Sequence, residues 1–130
     1  MGFFTSKNKN SSNEPASLNW KPLQSVLELD TLSKNSHQKP VLIFKHSTRC
    51  SISRMVLKQF ENDYTIDPTK MDSYFVDLLN FRSVSNEIAN KFLVEHQSPQ
   101  ILLIKNGKCI YYASHSDIDA EAVESILRKN

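Results

Sequence analysis

Residues 41–53 read Val41-Leu42-Ile43-Phe44-Lys45-His46-Ser47-Thr48-Arg49-Cys50-Ser51-Ile52-Ser53. The run Val41–Phe44 is continuously apolar, the pattern of a short central strand covered on both faces. Beyond it, Ile52, Met55, Val56 and Phe60 recur at helical spacing and predict a helix from about Ser51 to Tyr64. Cys50 therefore falls at the joint, at or next to the helix start. A thiol in that position faces unpaired backbone N–H groups and the positive end of the helix dipole, and both favour thiolate.

Working outward, Ser25-Val26-Leu27-Glu28 fits a capping box, so a helix is expected to about Asn35 with Leu29 and Leu32 inward. Residues 36–40 form a turn. Asp67-Pro68-Thr69-Lys70 punctuates the return from the second helix, and Tyr74-Phe75-Val76-Asp77 reads as a second strand, parallel to the first through a right-handed crossover. Ser83 is the expected cap of a helix carrying Val84, Ile88, Ala89 and Phe92. Ile101–Ile104 reads as a third strand, and Asn106-Gly107 is a strong hairpin signal leading into Lys108–Ala113. Ala120, Val123, Ile126 and Leu127 mark one face of a last helix over Asp119–Lys129. A β-α-β half followed by a β-β-α half is the thioredoxin-like arrangement. The expected α/β fold is a four-stranded mixed sheet flanked by helices on both faces. Its strands take the order second, first, third, fourth, the last two antiparallel to the first two. Active residues of such sheets sit past the carboxyl end of the central strand, where Cys50 falls.

With 130 residues, 39% of them apolar, a single domain with a real core is expected. Residues 1–18 are rich in Ser, Asn and Lys and read as a mobile polar tail. The domain is placed at 19–130, with Trp20 and Leu23 opening the packed part. The start lacks a signal-peptide core, though Gly2 and Ser6 match the short myristoylation pattern. A net charge of +2 gives no reason to expect nucleic acid, and no apolar run reaches the ~20 residues of a membrane span. Two distant cysteines and no Cys-x-x-Cys speak for a reducing compartment. A monomer without a tightly bound cofactor is expected.

An ordinary thiol, with a pKa near 8.5, is only about a tenth ionised near pH 7.5. Beyond the helix start, Arg49, Lys45 and His46 add positive potential around Cys50, and Ser53 offers a hydroxyl three residues on, over the same helix face. The plainer alternative is a structural cysteine packed under the helix, against which stand its Ser, Thr and Arg neighbours. Ser53 occupies the place of a dithiol enzyme's second cysteine. Serine cannot resolve a mixed disulfide, so the expected chemistry is one-thiol exchange, completed by an outside thiol. Cys109 is the one internal candidate for a resolving thiol, and its bland reading is a small apolar strand residue. The Ser98-Pro99 bond is a candidate cis peptide that would expose the Ser98 backbone to an extended partner; the alternative is a trans proline at a strand start. His37, His46, His96 and His115 lack metal-ligand spacing. His46 and His115 each follow a strand and are placed at the site rim, as functional groups or as plain capping residues. A phosphatase-type loop would want an arginine where Val56 stands.

Three segments, Lys45–Ser53, His96-Gln97-Ser98-Pro99-Gln100-Ile101 and Ser114-His115-Ser116, together resemble the YtxJ family, the monothiol bacilliredoxins. The likeness spans about Trp20 to Leu127. It implies a thioredoxin fold, a cytoplasmic location, and removal of bacillithiol from S-bacillithiolated client proteins, with Cys50 as nucleophile, Pro99 as cis-proline and bacillithiol as co-substrate. Many relatives have proline where Ser51 stands; serine keeps an N–H that can bond the thiolate. Bacillithiol carries carboxylates, so the resemblance implies Lys45, Arg49 and His115 as anion contacts, with Ser47, Thr48 and Gln97 as hydrogen-bond donors. The bland reading of Lys45 and Arg49 is solvated surface charge. Two other functions stay open: a non-catalytic thioredoxin-fold adaptor or thiol redox sensor, and a glutaredoxin-like or iron–sulfur carrier, for which no further ligand set is visible.

Overall fold

A computed structural model describes residues 18–130. The polar tail, with its myristoylation pattern, lies outside the described residues except for Leu18, which packs against the core. The elements are β1 (Lys21–Pro22), α1 (Val26–Asn35), β2 (Val41–His46), α2 (Ser51–Asp63), β3 (Asp72–Asp77), α3 (Arg82–Phe92), β4 (Gln100–Lys105), β5 (Lys108–Ser114), a 3-10 turn (His115–Asp117) and α4 (Ala120–Lys129). They form one mixed sheet in the order β1-β3-β2-β4-β5 with helices on both faces. This is the thioredoxin-like α/β arrangement, with one strand more than expected. Lys21 and Pro22 pair parallel to Tyr74 and Phe75, too short a stretch to show any periodicity.

β2 runs parallel to β3 and antiparallel to β4, and β4 runs antiparallel to β5. The fourth expected strand, β5, thus points the same way as β2, not against it. A hairpin reverses direction, so β5 must oppose β4, which already opposes β2. The hairpin is set by Asn106 and Gly107, with φ of 54° and 76°, the two left-handed residues of a primed turn. It is tied to the end of α1: Ser36 O accepts from Asn106 N at 3.0 Å and Ser36 Oγ from Gly107 N at 2.8 Å.

α1 begins as its capping box requires. Glu28 N donates to Ser25 Oγ at 3.0 Å, and the Glu28 carboxylate reaches back to Gln24 N at 2.8 Å. α3 starts two residues earlier than expected: Phe81 is its N-cap, without a side-chain bond, and Ser83 lies inside the first turn. Leu93 ends it in the left-handed region with φ 58°.

Alternate residues of β2 feed two cores. Val41 and Ile43 meet Leu29 and Leu32 of α1, with Val84, Ile88 and Phe92 of α3. Leu42 and Phe44 meet Phe60 of α2, with Ala120 and Val123 of α4. Trp20 closes the second core: its ring lies edge-on to Phe44 at 5.6 Å, and its Nε1 donates to Glu61 Oε2 at 2.7 Å. Burying a Phe or Leu side chain contributes about 1.5–3 kcal/mol, so these two layers carry the fold. The phase of α2 differs from the expected one. Ser53 and Phe60 are buried and Val56 and Leu57 half-buried, while Ile52 and Met55 are 64% and 70% exposed. The helical period is right, but the buried stripe is turned by about one residue.

Candidate active site

The strand register gathers the site at one end of the sheet. His46, the last residue of β2, pairs with Asp77, the last of β3. Lys45 pairs with Gln100, the first residue of β4, and Gln100 with Ser114, the last of β5. The segments just beyond these positions therefore converge: Ser47–Cys50, Leu78–Asn80, Ser98–Pro99 and His115. Two bonds fasten them, from Leu78 N to His46 O at 3.1 Å and from His115 N to Pro99 O at 2.9 Å. The Ser98–Pro99 peptide is cis.

Cys50 is exposed and is the N-cap of α2, with extended backbone and no side-chain capping bond. A tight turn presents it: Cys50 N donates to Ser47 O at 3.1 Å, and Arg54 N to Cys50 O at 3.0 Å. The first turn of α2 holds no acidic residue to oppose an anion. Its N–H groups at Ser51, Ile52 and Ser53 precede the first intrahelical bond, from Arg54 N, and lie at the positive end of the helix without bonding the Cys50 side chain. Arg49, Thr48 and Ser51 are exposed around the thiol, and Ser47, Gln97 and Ser98 are half-buried. Thr48 and Arg49 line an open depression of about 420 Å³ with Leu79 and Asn80. Leu79 and Asn80 drew no attention in the sequence. Asp77 shapes their turn, its carboxylate accepting from Leu79 N at 3.1 Å and Asn80 Nδ2 at 2.7 Å.

Four sequence expectations change. Lys45 is neither an anion contact nor solvated charge, because the whole residue is buried on the α3 side of the sheet. Its Nζ donates to His96 Nδ1 at 2.9 Å, and the same nitrogen lies 3.1 Å from Ser85 Oγ. Burial, reinforced by Arg82, brings the Lys45 ammonium down to about 8. Burial, then Lys45 and Arg82, holds His96 below the ordinary histidine value. His96 and Ser85 were not singled out as site residues. The only sequence signal was the place of His96 three positions before Pro99.

His46 is not at the rim. It is 4% exposed, on the α2 side, with its ring 5.4 Å from that of Phe75. Its Nδ1 lies 2.6 Å from Ser53 Oγ. Burial, partly opposed by Asp77, lowers the His46 pKa. Ser53 is fully buried, and its Oγ also accepts from Ser47 N at 3.2 Å. The Ser53 hydroxyl is thus already engaged by the strand end and is not a free donor waiting over the helix face. His115 is exposed, in the left-handed region with φ 57°.

Cys109 lies at the other end of the sheet. It pairs with Ile104, whose partner on β2 is Val41, the first residue of that strand. Cys50 lies beyond the last residue, so the strand alone separates the two by about 16 Å at ~3.3 Å per residue. A disulfide needs Cα atoms within about 7 Å, so Cys109 cannot resolve a bond at Cys50 of the same chain. Its Sγ donates to Tyr111 O at 3.3 Å, and burial pushes its pKa up.

Solved structures repeat this architecture. A thioredoxin-fold protein described as an oxidoreductase is 28% identical over 80% of this chain and 89% of its own, with a TM-score of 0.67. The thioredoxin of Malassezia sympodialis superposes at 18% identity over 91% of this chain and 96% of its own, TM-score 0.66. That of Nicotiana alata does so at 21% identity, 92% and 96%, TM-score 0.65. These two show the fold. The family model described as monothiol bacilliredoxin BrxC matches residues 21–123, which hold every site segment named above. The chain belongs to the monothiol bacilliredoxin family, thioredoxin-fold proteins of thiol–disulfide redox chemistry.

Proposed function

We propose that this protein removes bacillithiol from S-bacillithiolated proteins by one-thiol exchange at Cys50. The observation that carries the reading is the exposed Cys50 at the N-cap of α2, with Ser53 in place of a second thiol and the cis Ser98–Pro99 bond at the same end of the sheet. The Cys50 thiolate attacks the bacillithiol sulfur of the client's mixed disulfide. The new bond joins Cys50 to bacillithiol, the client–sulfur bond breaks, and the client leaves as thiolate. A second bacillithiol then attacks the same sulfur, releases the bacillithiol disulfide and returns Cys50 as thiolate. Amide hydrogens of the first α2 turn stabilise negative charge on Cys50 before attack and after release.

The half-buried Ser98, at the entry to β4, offers main-chain groups to an extended client segment. Arg49 and Thr48, with Asn80 across the depression, are placed to take the carboxylates of bacillithiol. The exposed His115 and the half-buried Gln97 lie past the same end of the sheet and complete the anion and hydrogen-bond contacts. The reading includes action as a monomer in a reducing cytoplasm. Its test is incubation with an S-bacillithiolated protein and intact-mass analysis. The expected result is a client restored to its free-thiol mass and one bacillithiol adduct on Cys50. A client that keeps its adduct while Cys50 stays free overturns the reading.

A further inference from the structure

Residues 95–99 form a strap that follows α3 and leads into β4. Three anchors fasten it. His115 N donates to Pro99 O at 2.9 Å, Gln100 Nε2 donates to Glu95 O at 3.0 Å, and Lys45 Nζ donates to His96 Nδ1 at 2.9 Å. Two of these anchors lower stability. Lys45 is fully buried, and among the described residues no carboxylate bridges it; the charge that reaches it is that of Arg82, of like sign. Methionine, of similar length, would avoid that cost. Gln100, the cross-strand partner of Lys45, gives its amide hydrogens to Glu95 O and, at 3.2 Å, to Ser114 Oγ. Its Oε1 is the one buried side-chain polar atom without a partner among the described residues. Both costs fall on side chains whose bonds go to the strap, and such local departures mark function more often than packing.

We propose that Lys45 and His96 are positioning residues for client recognition: the bond from the buried ammonium to His96 Nδ1 holds the strap in the shape in which Ser98 offers its main-chain groups to an extended client segment. An ammonium has donors only, so Nδ1 is bare and the ring proton sits on Nε2. Ser85 Oγ, 3.1 Å from the same nitrogen, shares that lone pair as a second donor. The His96 ring is thereby tied to β2 through Lys45 and to α3 through Ser85. Gln97 and Ser98 are left half-buried between the anchors. The pair acts on the path of the client's backbone and leaves the reactivity of Cys50 as it is.

The inference rests on the reading of Ser98 as the client's pairing site, but its test needs no bacillithiol. In a Cys109→Ser background, Cys50 is reacted with two probes: a short extended peptide whose cysteine carries a thiopyridyl group, and the small dipyridyl disulfide. In both, Cys50 bonds to one sulfur of the disulfide and pyridinethione leaves, so its absorbance gives the rate. Lys45→Met should slow the peptide reaction by about three- to tenfold, the range of one net hydrogen bond, and keep the small-disulfide rate within about twofold. His96→Leu should do the same, and the double variant should be no slower than either single one. His96→Asn, whose carbonyl reaches the Nδ1 position, should restore the peptide rate to within about twofold of the parent. An unchanged peptide rate in Lys45→Met, equal losses with both probes, losses that add in the double variant, or a His96→Asn as slow as His96→Leu overturns the proposal. Failure of bacillithiol transfer with this peptide pattern intact would count against the proposed function and leave the positioning pair standing.

Discussion

The two cysteines sit at opposite ends of one sheet and in opposite surroundings. Cys50 is exposed past the carboxyl end of β2, at a helix start, with the segments before β4 and after β3 and β5 gathered around it. Cys109 is half-buried by the hairpin, donates its proton to a carbonyl, and is pushed by burial toward the neutral thiol. The same side chain becomes a nucleophile or a filler according to which end of the strand it occupies. The site end holds charge and buried polar groups, while the hairpin end holds backbone bonds and apolar packing.

The sharpest way to break this contrast is to remove each thiol in turn. Cys50→Ser should lower thiol exchange roughly 10³-fold or more, as expected for loss of a nucleophile, while Cys109→Ser should stay within about twofold of the parent. Mixed-disulfide reduction followed by mass would show it, and equal losses would erase the distinction.

Next in size is the buried cation. Unfolded Lys45 keeps its proton to about 10.5 and the folded residue releases it at about 8. Between those values the unfolded state binds more protons, so the parent gains stability as pH rises, and below about 8 the cost of burying the charge is complete. Lys45→Met should therefore stabilise the fold by about 1–3 kcal/mol at pH 7, with the gain fading toward pH 10. Urea unfolding of both proteins at several pH values checks this. A variant less stable than the parent at pH 7 would contradict it.

On the acid side the sign follows the lowered histidines. His46 and His96 hold fewer protons folded than unfolded. Their contribution is intact above the ordinary histidine value of 6.5 and is lost as pH falls through the lower folded values. Unfolding at pH 7.5 and 5.5 should show this loss, and His96→Gln should reduce it. An equal acid loss in that variant would remove His96 from the account.

The smallest effect on exchange is expected at the hairpin. Gly107 has φ 76°, and an added Cβ would meet His37 Nε2 at 3.3 Å. Gly107→Ala should cost about 1 kcal/mol of stability while leaving Cys50 alkylation unchanged. An altered alkylation rate would mean that the two ends communicate.

Local chemistry made much of this legible. The apolar run of β2, the Ser25–Glu28 box and Asn106-Gly107 each act over a few residues and announce their element. The placement of Cys50 followed from the first of them together with the helical spacing of Ile52, Met55, Val56 and Phe60. What the sequence hid depends on partners far along the chain. Lys45 follows an apolar run and reads as the point where a strand meets water. Its burial is decided by strands on both sides and by His96, 51 residues away. His46 and Ser53, seven residues apart, face each other only because β2 and α2 fold back at the Cys50 turn. The phase of α2 escaped for the same reason. Ile52 and Met55 fit the helical period as well as Ser53 does, and the contact between Ser53 and His46 turns the hydroxyl inward. The direction of β5 needed no structure, since a hairpin partner must oppose its neighbour.

The central claim is that one sulfur, and only that one, enters the exchange. The most direct test treats the full chain with an S-bacillithiolated protein and maps the product by mass. A single bacillithiol adduct on Cys50, with Cys109 still a free thiol, is the predicted result. An adduct on Cys109, or a loss of two hydrogens marking a bond between the two cysteines, would contradict the account.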